Sequence, residues 1–324
     1  MTEQKTPGAA NRIARVTCIG GGLIGAGWAA HFMRAGLDVA VYSPAAEREI
    51  FLKEYLAKAM PRLADLGMAP DASPSRIHFT TDMKEALKDA DFVQESATEK
   101  FDAKIKLIGE IDALTAPNVV IASSSSGFLA ADLRSRARHP ERILVGHPFN
   151  PPYLVPLVEI SGGDVASQAA AAASLFYRST GCEVVSLDRE IAGYIGARIQ
   201  YAVLREILYL MSQGVADLQA IDTAIASGPA IRWAVMGPSS VLFLGARDST
   251  LYGGFIEGLT DEMERGYLAP PDFQPDRQLM RAYAEQVAKG IGANGQAGLM
   301  ELRNAGVVAI RGALQRAKES LKGA

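Results

Sequence analysis

The chain is expected to be an α/β protein in which a mainly parallel sheet comes first and an all-helical domain follows. Three observations predict this. Between about Arg15 and Leu187, short apolar runs alternate with amphipathic helical stretches, the pattern of a parallel sheet covered on both faces. The first apolar run opens directly onto Gly20-x-Gly22-x-x-Gly25, a glycine turn between a strand and a helix. After about Glu190 the strand-like runs stop and only helical patterns remain. The domains are therefore expected at 12–189 and 190–324.

The strands are read in order as RVTCI (15–19), DVAVY (38–42), RIHFT (76–80), DFVQE (91–95), NVVIAS (118–123), RILVGH (142–147), LVEI (157–160) and EVVSL (183–187). Each is short, rich in β-branched or aromatic residues and bounded by turn-forming residues. Between them, AEREIFLKEYLAKAM (46–60) and KFDAKIKLIGEIDAL (100–114) place apolar residues at helical spacing. SSSS at 123–126 follows a strand and reads as a loop. The helical domain is expected to contain 194–214, 217–228, 249–266, 276–292 and 297–321, most of them ended by glycine. The stretch YIGARIQYAVLREILYLM is apolar around much of its circumference, so it is expected to be buried, in a core or between subunits.

At 324 residues the chain is long enough for two domains. Its apolar content is 48% and its net charge −3, so no basic field points to nucleic acid. No apolar run is long enough to span a bilayer. The first dozen residues carry no apolar core of a secretory signal and read as a frayed tail. Two cysteines, Cys18 and Cys182, suit a reducing compartment better than a disulfide framework. A soluble cytoplasmic protein is expected, with no membrane or nucleic-acid partner and no metal ligands.

The glycine fingerprint points to a Rossmann-type, dinucleotide-binding first domain. Gly20 makes the tight turn, Gly22 admits a pyrophosphate close to the backbone, and Gly25 lets helix and strand pack closely. Leu23 and Ile24 open the helix, whose free N–H groups and dipole favour the phosphates. Such sites usually place an acid about 20 residues on, to bind the ribose 2′-OH. Here the second strand ends in Ser43, with Arg48 five residues later. Serine does not repel a 2′-phosphate, and Arg48 either reaches one or is a solvated helix residue, which leaves NADP open beside NAD.

The chain has four histidines, His31, His78, His139 and His147. A lone histidine in an apolar stretch is ordinarily a buried side chain satisfied by backbone. Three features favour a reactive role for His147. It closes a strand at the carboxyl edge, where open α/β sheets bind ligands. Glu159 follows twelve residues later, after a turn forced by Pro148, Pro151, Pro152 and Pro156, and a carboxylate on one ring nitrogen fixes the tautomer and stabilises an imidazolium. Ser126 also follows a strand and can face the same crevice, though an N-cap or turn serine is the competing role.

Together GGGLIGAGWA, ASSSSG, HPFNPPYLVPLVEI and AGYIGARIQYAVLREI resemble the 3-hydroxyacyl-CoA dehydrogenase superfamily, over nearly the whole first domain and the start of the second. GPAIRWAVMGP (228–238) is most like the branch that holds L-carnitine dehydrogenase, L-gulonate 3-dehydrogenase and lambda-crystallin; aromatic polyketide ketoreductases are also similar. The resemblance implies NAD as cofactor and reversible oxidation of a 3-hydroxy group. It implies His147 as general base, Glu159 as its paired acid, and Ser126 near the substrate hydroxyl and nicotinamide. It further implies that Glu99 and Lys104 contact the cofactor, and that Ser124 and Asn150 line its nicotinamide half, Ser124 replacing the usual asparagine. The base takes the hydroxyl proton while hydride passes to nicotinamide C4. A homodimer through the helical domain is implied as well. Two departures stand out. Ser43 replaces the acid that gives the family its NAD preference, and Ala197 stands where acyl-CoA enzymes carry an asparagine for the substrate carbonyl.

The substrate is expected to be a small 3-hydroxy acid of the L-carnitine type. Acyl-CoA enzymes of this superfamily carry a long helical hairpin after the second strand; here only residues 44–76 intervene, and their charges are balanced. A free carboxylate suits Arg198 or Arg232. A trimethylammonium group suits an aromatic cage of Trp233, Tyr153 and Phe149, though such aromatics are more often core. A 3-hydroxyacyl-CoA dehydrogenase, a polyketide-type ketoreductase and a non-catalytic, lambda-crystallin-like dinucleotide-binding protein are the alternatives.

Overall fold

Strand β1 (Arg15–Ile19) is the centre around which the first half of the chain is built. The structure, a computed structural model, describes residues 13–235, 237–244, 270, 272–274, 276–290 and 295–322. The N-terminal tail and the expected helix at 249–266 lie outside the described residues. The chain divides into two compact units, Met1–Ile195 and Gly196–Ala324.

In the first unit β1 leads into α1 (Leu23–Arg34), β2 (Asp38–Tyr42), α2 (Arg48–Asp65), β3 (Ile77–Thr80), α3 (Met83–Leu87), β4 (Phe92–Glu95) and α4 (Phe101–Leu114). There follow β5 (Val120–Ser123), α5 (Ala130–Leu133), β6 (Ile143–Pro148), β7 (Leu157–Ser161), α6 (Ser167–Ser179) and β8 (Glu183–Ser186). All eight expected strands form, in one sheet ordered β3-β2-β1-β4-β5-β6-β7-β8. Every pair is parallel except β6 with β7. Ser123 is the last residue of β5, so the serine loop starts one residue later than its composition suggests.

The chain reverses beside β1, going to β2 on one side and β4 on the other. That switch point opens a crevice at the carboxyl ends of the strands. Central strands β4, β5 and β6 are buried at every position, which is why they read as continuous apolar runs rather than alternations. Ile19, Val93, Ile108, Ile111, Ile121, Leu133, Ile143 and Val145 form one core with α4 and α5. Helix α2 runs five residues beyond its expected end, through Pro61. It is a single helix followed by a short 3-10 turn at Pro74–Arg76, so no hairpin follows β2.

The second unit contains α7 (Gly196–Ser212), α8 (Leu218–Ser227), α9 (Pro229–Val235), α10 (Pro238–Leu244), α11 (Arg277–Gly290) and α12 (Gly295–Lys322). Asp217 caps α8 by accepting from the Ala220 amide at 2.8 Å. Within the single chain, helix α7 buries only Leu208, while Ile199 and Tyr201 are 57% and 70% exposed, so of the two expected settings a core within this chain is not the one it occupies.

Candidate active site

The glycine turn explains itself in two parts. Gly20 has φ +115°, and a Cβ there would lie 2.6 Å from the Ser96 carbonyl oxygen; a Cβ at Gly25 would lie 1.8 Å from the Gly20 oxygen. Both glycines are thus required by the protein's own packing. Gly22 is not: a Cβ there would meet nothing within 4 Å. The open space lies over the start of α1, a twelve-residue helix whose N-cap offers no side-chain oxygen. Uncapped N–H groups facing open space fit an anion, so the residues present fit a dinucleotide pyrophosphate. Leu23 and Ile24 are the first two residues of that helix.

Four further loop tips gather at the same sheet edge. Ser43 follows β2 and is buried, its Oγ accepting from the Ala45 amide at 3.3 Å. Beyond β4, the half-exposed Glu99 accepts hydrogen bonds from the Ser125 hydroxyl and the Ser126 amide, and its other oxygen meets Lys104 Nζ at 3.1 Å. Burial works to raise the Glu99 carboxyl, but the Ser125 hydroxyl, the Lys104 ammonium and the Ser126 amide outweigh it and hold the group below its ordinary value. Lys104 is buried, its ammonium on Glu95 at 2.8 Å. It holds the loop from beneath rather than facing open space.

Beyond β5, Ser124 is a junction. Its Oγ receives Trp28 Nε1 (3.2 Å) and Gln94 Nε2 (2.9 Å) and lies 2.8 Å from Ser96 Oγ. Two donors fill its lone pairs, so its own proton is the one left to give. Gln94 in turn accepts from the Tyr177 hydroxyl. Ser126 is exposed, and among the described residues its hydroxyl has no protein partner.

His147 and Glu159 face each other in the antiparallel register of β6 and β7. His147 Nδ1 lies 3.0 Å from Glu159 Oε2, with the histidine side chain 9% exposed and the glutamate 1%. The second carboxylate oxygen accepts from the Ile195 amide at 2.9 Å. An ionised carboxylate only accepts, so Nδ1 carries the proton and Nε2 is the nitrogen left for a ligand. The prolines of the intervening turn dock on α1: a Cβ at Gly27 would meet Pro152 Cδ at 2.5 Å. Asn150 is exposed just past β6.

Tyr194, for which the sequence offers no site motif, joins the His147–Glu159 pair. It is fully buried, its ring centroid lies 4.9 Å from that of His147, and its hydroxyl donates to the Phe128 carbonyl at 2.7 Å. Burial pushes its phenol up, so it stays a neutral donor. Its φ of +48° is a left-handed conformation that a bulky residue adopts at a cost. A tyrosine following Gly193 at the end of the strand-forming region was the available signal, and it is a weak one.

Among the aromatics weighed for a cage, Phe149 stands 5.5 Å from His147 between ring centroids. Tyr153 is buried edge-on against Tyr55 and serves packing. Arg198, Arg232 and Trp233 belong to the second unit, where each is exposed.

Residues 15–191 match the NAD-binding domain of 3-hydroxyacyl-CoA dehydrogenase, and residues 193–289 match its C-terminal domain. The chain is 41% identical over 302 residues to an L-carnitine dehydrogenase of Streptomyces coelicolor, covering 92% of this chain and 94% of that one. It is 47% identical over 241 residues to an L-carnitine dehydrogenase of Nocardiopsis dassonvillei, covering 74% and 72%. Among solved structures it is similar to a 5-formyl-3-hydroxy-2-methylpyridine 4-carboxylic acid 5-dehydrogenase, described as an NAD+-dependent dismutase. The TM-score is 0.83 at 28% identity, covering 94% of this chain and 99% of the other.

Proposed function

The chain belongs to the 3-hydroxyacyl-CoA dehydrogenase family, and from that premise we propose that it oxidises a small 3-hydroxy acid, L-carnitine foremost, to the 3-oxo acid. It is an NAD-dependent oxidoreductase acting on CH–OH groups. The observation that carries the proposal is the His147–Glu159 pair at 3.0 Å, closing a strand beside the glycine turn's sheet edge.

Bound NAD supplies the redox chemistry by accepting the hydride from the carbinol carbon. The chain's own residues do the rest. His147 Nε2 takes the hydroxyl proton, and Glu159 steadies the imidazolium that results. Ser126 offers its unpartnered hydroxyl to the substrate oxygen, and Tyr194 and Phe149 keep the imidazole dry and in place. Ser124 and Asn150 line the nicotinamide side, Glu99 and Lys104 fix the loop beneath it, and Gly20, Gly22, Leu23, Ile24 and Gly25 hold the pyrophosphate. Arg198, Arg232 and Trp233 remain proposed substrate residues for a carboxylate and a quaternary ammonium.

A small acid is favoured over a coenzyme A thioester. The segment after β2 forms a single helix with no hairpin, and two relatives act, by name, on carnitine. Domain limits of 12–189 and 190–324 are proposed to separate cofactor binding from substrate binding and dimerisation. Exposed Ile199, Tyr201 and Leu302 suit a homodimer interface on the helical unit. Light scattering at micromolar concentration tests this, and a monomer would overturn it. Among the described residues no helix is long and apolar enough to cross a membrane. Cys18 and Cys182 are buried thiols that form no disulfide, and a cytoplasmic setting is proposed.

The test is NAD+ reduction with L-carnitine, L-gulonate, L-3-hydroxybutyrate and 3-hydroxybutyryl-CoA. L-Carnitine is expected to give the highest kcat/KM. A preference for the coenzyme A ester would overturn the small-acid reading. Ala197, in the first turn of α7, favours a second reading, a non-catalytic dinucleotide-binding protein. NADH binding with no turnover of any of the four would support that reading.

A further inference from the structure

The turn between β2 and α2 brings Ser43 and Arg48 against the glycine turn. We propose that Ser43 and Arg48 form a subsite for a 2′-phosphate, so that the enzyme binds NADP as well as NAD; this rests on the dinucleotide site proposed above.

The tip of β2 is stitched to the glycine turn. Gly20 N donates to the Tyr42 carbonyl at 2.8 Å, and a Cβ at Gly21 would lie 3.2 Å from Ser43 Cβ and 3.0 Å from Arg48 Cβ. Three residues thus close on one spot, at the end of the second strand, where this fold meets the adenosine ribose. A carboxylate at that tip binds the 2′-OH and repels a 2′-phosphate. Ser43 carries no charge. Its Oγ accepts from the Ala45 amide, so its own proton can be given to a hydroxyl or a phosphate alike.

Arg48 supplies the cation. Its stem packs on Gly21, while its guanidinium lies 5.7 Å over the Phe51 ring. Among the described residues that guanidinium has no hydrogen bond or ion pair. The ring contact holds a planar fork in place without consuming its donors. Neighbouring acids are mostly engaged elsewhere: Glu49 with Lys53 at 2.7 Å, and Glu85 with Thr80 and with His78 at 3.3 Å. Glu47, at the cap of α2, is exposed and works against a phosphate. The several donors of the fork outweigh one solvated carboxylate.

Fluorescence titration with NADH and NADPH on the intact protein tests the subsite without reference to turnover, and 2′,5′-ADP against 5′-AMP as displacers of NADH isolates the phosphate. The wild type is expected to bind NADPH within about tenfold of NADH, with 2′,5′-ADP the stronger displacer. Losing a charge-assisted phosphate contact in Arg48→Gln should raise the ratio of NADPH to NADH Kd about tenfold. Ser43→Asp should raise it by as much or more, by placing two negative groups together. A wild type that binds NADH but neither NADPH nor 2′,5′-ADP would overturn the subsite alone, as would a ratio unmoved in both variants. Binding neither NADH nor NADPH would overturn the dinucleotide site and the subsite with it.

Discussion

Replacing Glu159 by glutamine removes one charge and almost no volume from the proposed acid–base pair. The carboxylate accepts from His147 Nδ1 at 3.0 Å and from the Ile195 amide at 2.9 Å. A glutamine amide oxygen can keep one of these bonds. What it cannot keep is the attraction for an imidazolium. Two unit charges about 4 Å apart attract by about 4 kcal/mol at an effective dielectric near 20, and the net value of one charge-assisted bond is about 1.5–3 kcal/mol. In the proposed step the imidazolium forms as His147 takes the substrate's proton, so the loss falls on kcat rather than on ground-state binding. A penalty of about 2–4 kcal/mol corresponds to a roughly 30- to 1,000-fold fall in kcat. The assay is NAD+ reduction at saturating substrate, with NADH titration and a thermal melt as controls. Adding Glu159→Gln to a His147 variant should cost little more, because the two residues act as one unit. A kcat within about threefold of wild type, with fold and binding intact, would refute the pairing as the source of basicity.

Two other substitutions probe separate links of the account. Gly22→Ala should weaken NADH binding by about tenfold or more, a cost near 1.4 kcal/mol, while leaving the melt almost unchanged, because its Cβ enters space that no protein atom occupies; a drop in stability with unchanged binding would reverse the assignment of that space. Asp112→Asn breaks the buried pair with Arg142, whose Nη2 lies 2.7 Å away, and should cost about 3–5 kcal/mol at neutral pH. Burial works to raise the Asp112 carboxyl, but the Arg138 amide and the Arg142 guanidinium outweigh it and hold it below its ordinary value. Its stabilisation is therefore complete above about pH 4 and lost as pH falls through the lower folded value. Urea unfolding across that range should be steeper for wild type than for Asp112→Asn, and parallel curves would remove Asp112 from the acid response.

Much of this was legible in the chain because it is local or periodic. The strands announce themselves as short β-branched runs, and the glycine spacing marks one specific turn. The pairing of His147 with Glu159 could be anticipated because four prolines force the chain back and a twelve-residue spacing lets the two strands meet in register. What stayed hidden is tertiary or too short. Helices α3 and α5, of five and four residues, offer no helical period to read. Pro61 reads as a helix end, yet α2 continues past it. The tilted ring contact of Tyr194 with His147, and the junction of Trp28, Gln94 and Ser96 at Ser124, join segments far apart in sequence, and nothing in any one of them signals the others. In sequence Arg48 reads more readily as a solvated helix residue than as a ligand, and its seat against Gly21 is a tertiary fact that no local pattern signals.

L-Carnitine-dependent NAD+ reduction by wild type and His147→Gln, measured side by side, tests whether His147 is the base in oxidation of a small 3-hydroxy acid. Glutamine can still donate to Glu159 but cannot take up a proton at neutral pH. The wild type is expected to turn over L-carnitine, and the variant to lose about a thousandfold in kcat while still binding NADH. A variant that oxidises L-carnitine at the wild-type rate would contradict the account.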